Sequence, residues 1–146
     1  MLLWIADWAW SLPLILLTVV IYVFGLGFIN KRVVRVLGRS IDRRRLVLVF
    51  ALVMGAAVLL MTALHAIEGM AWALAYLFLG AVPDAKSAML YSLNAMTTYG
   101  HESVSLAPQW QMMGALEALN GMLLFGLTTA FLFAMIQEVW PIHRHR

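Results

Sequence analysis

The chain has 146 residues, 64% of them hydrophobic and only 12% charged; soluble domains are roughly half apolar and a quarter charged, so lipid must be the solvent for much of this surface. That length leaves room for about three or four membrane spans and no separate enzyme domain, and the lack of cysteine excludes disulfides, thiolate nucleophiles and Cys-ligated metals. The net charge of +3 comes from Lys and Arg clustered beside apolar runs, a pattern that sets membrane topology and touches anionic lipid headgroups rather than nucleic acid.

The opening MLLWIADWAW carries Asp7 but no Lys or Arg. It lacks the basic start of a signal peptide and is expected to be retained. The first apolar run covers Leu12 to Ile29, with Trp4, Trp8 and Trp10 ahead of it as interfacial anchors and Pro13 suited to a first-turn position. Gly25 and Gly27 in this run favour close helix packing. A basic connector follows at 31–45, holding Lys31, Arg32, Arg35, Arg39, Arg43, Arg44 and Arg45 against Asp42. A second apolar run, Leu46 to Ile67, continues into Gly69–Leu79, where Trp72 and Tyr76 suit a membrane–water boundary. The stretch GAVPDAK at Gly80–Lys86 is a turn-like break. Ser87–Met96 is apolar but too short to cross a bilayer, which takes about 20 helical residues. The polar TTYGHESVS of Thr97–Ser105 comes next, and the last apolar run, Gly114 to Ile136, leads into QEVWPIHRHR, whose His143 and His145 are read as solvated tail.

Charge asymmetry supplies an orientation. The basic connector and the basic tail belong on the cytoplasmic side, which places both the N-terminus and the Asp84–Glu102 region outside. Three spans satisfy every charge cluster, whereas a fourth through Ser87–Met96 would put the tail on the wrong side. That segment is therefore expected to enter and return from one face. Backbone N–H and C=O groups outside a helix cannot face lipid, since each unsatisfied group costs several kcal/mol. A returning loop must border protein or water, and one loop cannot enclose a water path, so a homo-oligomer is implied.

The stretch Ser87–Gln137 (SAMLYSLNAMTTYGHESVSLAPQWQMMGALEALNGMLLFGLTTAFLFAMIQ) resembles the pore helix, filter, outer turn and inner helix of bacterial two-transmembrane potassium channels. The resemblance covers roughly the last third of the chain and extends weakly through Leu46–Leu79 as the outer helix. Pro108 and Trp110 match the outer turn, Gly121 the hinge glycine, and Phe125-Gly126-Leu127 with Thr129 the inner helix. The resemblance implies an all-α membrane protein with three transmembrane helices, a re-entrant pore helix and a filter loop, assembled as a homotetramer around a channel. It divides the chain into an extra N-terminal membrane helix at 1–30, a basic cytoplasmic connector at 31–45 and a channel domain at 46–146.

The same resemblance implies an ion pathway. In the ungapped alignment Thr97 and Thr98 fall on the filter's Thr pair, Tyr99 on its hydrophobic position and Gly100 on its first glycine. Filter hydroxyls and carbonyls there replace an ion's hydration shell, which implies monovalent cations at Thr98, Tyr99 and Gly100. A second register, with Tyr99-Gly100 on the family's Tyr-Gly pair, leaves the loop two residues too long before Pro108. His101 and Glu102 replace the expected Tyr and Gly. A ring of Glu102 carboxylates is a recurrent device of cation pores and would bind divalents; like charges there raise one another's pKa, and His101 adds a group that titrates near neutral pH. This Thr-Thr-x-Gly followed by Glu is similar to cyclic-nucleotide-gated channels, which implies weakened potassium selectivity. No cofactor is expected beyond the permeant cations (potassium, sodium or divalents).

Other polar residues have two readings each. Glu117 and Asn120, one turn apart, suit a cavity lining or brace behind the pore helix, and equally an interhelical hydrogen bond. Thr128 and Thr129 suit a hydrated cavity or a bond to the i−4 carbonyl, with Thr129 assigned to the cavity by the resemblance. Gly121 and Gly126 suit a hinge or close packing. His65 and Glu68, at i and i+3, suit weak metal ligation or, more readily, a polar brace to the pore helix. No nucleotide loop, hydrolase pattern or nucleophile constellation occurs, so the chain is not read as an enzyme. The leading function is a cation channel in the plasma membrane of the bacterial (inner-membrane) type. The competing one is a non-conducting membrane scaffold or ion-sensing subunit that keeps the channel fold.

Overall fold

The computed structural model describes residues 2–37, 43–100 and 104–139. The filter positions His101 and Glu102 and the tail histidines lie outside the described residues. Four α-helices make up nearly all of the described chain: α1 (Leu2–Leu37), α2 (Arg43–Phe78), α3 (Ala85–Met96) and α4 (Gln111–Val139), with a 3-10 turn at Pro108–Trp110 before α4. Three stretches are long and apolar enough to cross a membrane, Ile5–Val33, Val47–Phe78 and Pro108–Gln137. At about 1.5 Å per residue each exceeds the ~30 Å hydrocarbon core. The described chain is all-helical, with three helices long and apolar enough to be the three spans expected from the apolar runs.

The helices overrun the runs that announce them. α1 begins at Leu2, so Pro13 lies inside the helix rather than in its first turn. Its missing N–H leaves the Ala9 carbonyl without an i+4 donor. α1 also continues through Lys31, Arg32 and Arg35, whose long stems can lie on apolar surface while their charges reach water. α2 passes without interruption through Glu68 and Gly69.

The break after α2 is built by local chemistry. Gly80 takes the left-handed conformation (φ 62°). Its N–H donates to the Leu77 carbonyl at 3.1 Å and that of Ala81 to Tyr76 at 2.8 Å, the paired bonds of a Schellman helix end. Asp84 then caps α3: Oδ1 accepts from the Ser87 N–H at 3.0 Å and Oδ2 from the Ser87 hydroxyl at 2.7 Å. Both bonds favour the ionised form and hold the Asp84 carboxyl below its ordinary pKa.

Side-chain contacts give the relative directions of the long helices. Asp7 on α1 faces the Met113 N–H at the start of α4, Thr18 meets Asn120 and Tyr22 meets Thr128. Numbers rise together, so α1 and α4 run parallel. Tyr76 pairs with Glu117 and His65 with Thr128, so α2 runs antiparallel to both. The start of α1 therefore shares one end of the bundle with α3, and the α1–α2 connection lies at the other end. Trp72, Tyr76, Ala88, Tyr91, Leu106 and Met113 pack together at the α3 end. Trp72 and Tyr76 are thus fully buried under α3, not turned outward as headgroup anchors. Ile29, Val33, Ala57, Met61 and Met135 fill the opposite end.

Candidate functional site

Two close approaches fix the depth of α3. A Cβ on Gly121 would sit 2.6 Å from the Met96 carbonyl oxygen and 2.7 Å from its Cα, so α4 touches the end of α3 backbone to backbone. Gly121 lies about 15 Å along α4 from Gln111. On the other flank the Ser92 hydroxyl donates to the Gly69 carbonyl at 2.9 Å, and Gly69 lies about 14 Å below Phe78 on α2. These contacts therefore lie about a third of the way along α4 and a quarter of the way along α2, each roughly 15 Å from the end that the two helices share with the start of α3.

The chain then comes back. The Ala107 N–H donates to the Ala81 carbonyl at 3.0 Å, and Leu106 is buried beside it in the core under α3. Entry and exit of the 81–107 segment are hydrogen-bonded to each other, so its path descends with α3 and returns to the level where it began. Trp110 N–H bonds to the Ala107 carbonyl at 2.8 Å, turning the chain into α4.

At the tip, α3 ends in a second Schellman pattern. Thr98 N–H bonds to the Ala95 carbonyl at 3.1 Å and Tyr99 N–H to Asn94 at 3.0 Å, while the Thr97 hydroxyl donates to Leu93 at 2.7 Å. The left-handed position is Thr98, with φ 55°. A β-branched residue there is an outlier that costs roughly 1–2 kcal/mol relative to right-handed backbone. Gly100 is left-handed as well, at φ 104°. Thr97, Thr98, Tyr99 and Gly100 are all exposed in the single chain, Tyr99 by 86%. The four described filter candidates thus lie together, exposed, at the tip.

Behind the tip is a buried polar framework. Tyr76 donates to Glu117 Oε2 at 2.6 Å, and Ser92 contacts Glu117 Oε1. Glu117 thus ties α2, α3 and α4 together, which makes it the brace and leaves it fully buried. Asn120 turns the other way and donates through Nδ2 to the Thr18 hydroxyl at 2.9 Å, on α1. Farther from the loop, His65 Nδ1 bonds to Glu68 Oε2 at 3.1 Å and Nε2 meets the Thr128 hydroxyl at 3.1 Å. His65 also stacks on Phe125, centroids 4.5 Å apart. The brace at His65 and Glu68 therefore reaches α4 and α1 rather than α3. Among the described residues no group of three or more His, Asp or Glu could hold a metal.

The remaining inner-helix candidates separate. Thr128 is drawn into the His65 cluster and also bonds to the Leu124 carbonyl at 2.9 Å. Thr129 bonds to the Phe125 carbonyl at 3.0 Å and stays exposed, as does Gly126, beside which a Cβ would meet nothing. Gly121 is a packing glycine for the α3 tip. Sequence reasoning overlooked the α1 residues Asp7, Ser11, Thr18 and Tyr22, all buried. Their spacing of four, seven and four residues places them on one helical face, and that periodicity in an otherwise apolar run was the available signal.

Comparison with known proteins finds no matching family model, no matching curated protein and no matching solved structure.

Proposed function

We propose that the chain forms a homotetrameric cation channel of the potassium-channel superfamily, with 85–107 as a re-entrant pore segment and α4 as the lining helix. The observation that carries this reading is the descent of α3 to the level of Gly121 and the return marked by the Ala107–Ala81 hydrogen bond. Thr97–Gly100 are exposed at the tip of α3, and within a bilayer non-helical backbone facing lipid would cost several kcal/mol per group. A watery axis shared by four copies removes that cost. It also accounts for the unpartnered face of α4 that carries Met122, Leu123, Thr129 and Phe133.

In this reading the hydroxyls and carbonyls of Thr98, Tyr99 and Gly100 replace the hydration shell of monovalent cations, and Glu102 forms an outer ring that binds divalents. His101 and Glu102 take the places of the second Tyr-Gly pair of a potassium filter, so discrimination between potassium and sodium is weakened. The membrane is the plasma membrane, with the N-terminus outside and the C-terminus inside. Purified protein in liposomes is expected to dissipate imposed potassium and sodium gradients, and Glu102→Gln is expected to relieve block by divalents. Well-folded tetramer that leaks no faster than empty vesicles would replace the channel with a scaffold or ion-sensing subunit. Strong potassium-over-sodium selectivity unchanged in Glu102→Gln would remove the weakened filter.

A further inference from the structure

A groove runs between α1 and α2 at the end of the bundle away from α3. It consists of two adjoining cavities of about 120 and 160 Å³ that share Ile29 and Leu60 in their walls. The walls otherwise are aliphatic or small, including Val53, Ala56, Ala63 and Ile67. From Ile67 to Val53 the groove follows α2 for about 21 Å at 1.5 Å per residue, somewhat more than the ~15 Å hydrocarbon depth of one leaflet.

Its mouth is cationic. Arg32 lines the cavity farther from α3 at the end of the Ile5–Val33 span, with its guanidinium 4.9 Å from the Phe28 ring centroid. That placement holds the charge beside the opening. Lys31 and Arg35, both exposed, flank it. Among the described residues the single ion pair is His65–Glu68, so none of these three cations is neutralised by a described carboxylate.

We infer that this groove is a binding site for one anionic phospholipid, whose acyl chain lies along Ile29 and Leu60 and whose phosphate is held by Arg32, with Lys31 and Arg35 beside it. Shape and charge favour this occupant over a second copy of the chain. The acids whose side chains are described are Asp7, Glu68 and Glu117, buried in the bundle, and Asp84, at the α3 end, so a neighbouring copy offers no described carboxylate to the cationic mouth. A lipid phosphate meets a guanidinium bidentately at the bilayer surface, and its chain replaces lipid-exposed void with packed contact. The inference does not depend on the pore reading and stands or falls separately from it.

The test is native mass spectrometry of the delipidated full-length protein, titrated with phosphatidylglycerol or phosphatidylcholine bearing identical chains. Phosphatidylglycerol is expected to bind about tenfold more tightly, or about 1.4 kcal/mol. Arg32→Gln is expected to abolish the preference while retaining binding of both lipids. Ala63→Phe, at an exposed wall position, is expected to weaken both lipids together, whereas Leu16→Phe on another lipid-facing surface of α1 leaves both unchanged. Melting temperatures of the variants show that each is folded. Equal affinity for the two lipids, or undiminished binding to Ala63→Phe, would overturn the site. So would efficient disulfide cross-linking of Ala63→Cys between copies, which would assign the groove to a subunit contact.

Discussion

Glycine and carboxylate positions within α4 have opposite sensitivities that follow from what each side chain touches. At Gly121 an added methyl meets the Met96 backbone, which cannot yield as a flexible side chain would; at Gly126 it meets nothing. Gly121→Ala is therefore expected to lower the melting temperature of the solubilised protein sharply, with about 1–3 kcal/mol lost to overpacking, and Gly126→Ala to be neutral or slightly stabilising. Equal effects in a thermal-melt comparison would contradict the packing role of Gly121. Glu117 answers to two hydroxyls from two helices. Glu117→Leu leaves the Tyr76 hydroxyl without its buried acceptor, at about 1–3 kcal/mol, while Ser92 keeps the Gly69 carbonyl; Glu117→Gln keeps an acceptor for Tyr76 and is expected to lose much less. Denaturation followed by tryptophan fluorescence distinguishes the two.

The Asp84 cap gives a pH dependence whose sign is fixed. Its folded pKa is depressed below the ordinary value by the Ser87 bonds, so its contribution is fully present at neutral pH, where the carboxyl is ionised in both states. The contribution fades as pH falls below the unfolded value of about 4 and is lost once pH passes through the lower folded value. Ser87→Ala is expected to flatten that part of the stability profile. An unchanged acid limb in the variant would show that the cap does not contribute.

Among the elements, α1 differs most between expectation and structure. Its apolar run was plain in the sequence, and so was its role as a span. Its length was not, because helix geometry tolerates the tryptophan-rich lead and the basic residues that composition had assigned to flanks. Its packing face was hidden for another reason: Asp7, Ser11, Thr18 and Tyr22 are individually unremarkable polar residues, and only their shared face turns them into a seam against α4. α3 was legible as a separate short helix, because Pro83, Asp84 and a run too short to span set it apart, although it begins at Ala85, two residues before the apolar run Ser87–Met96. The Thr18–Asn120 bond makes the seam testable. In a Thr18→Val, Asn120→Leu double-mutant cycle the coupling is expected to be about 0.6–1.7 kcal/mol, the range of membrane interhelical bonds. A coupling of zero would mean that α1 is held by apolar packing alone.

For the whole molecule, three long apolar helices, one short helix and a segment whose two ends are hydrogen-bonded to each other bring Thr97–Gly100 to one exposed tip. Composition and run length carried that architecture, since hydropathy and backbone satisfaction constrain membrane proteins more tightly than soluble ones. The candidate site is marked in the sequence by a short apolar helix followed by a polar, glycine-containing stretch. The left-handed Thr98 is not, because it arises from the Schellman end that α3 adopts at its tip rather than from any propensity of threonine. The natural absence of cysteine makes a direct test of the central claim clean. In proteoliposomes, Tyr99→Cys is expected to react readily with a membrane-impermeant thiol reagent and to be protected by high concentrations of permeant cation, while Leu16→Cys on the outer face of α1 stays unreactive. A Tyr99→Cys protein as inert as Leu16→Cys would put the tip in lipid or in sealed protein, and the shared watery axis would be wrong.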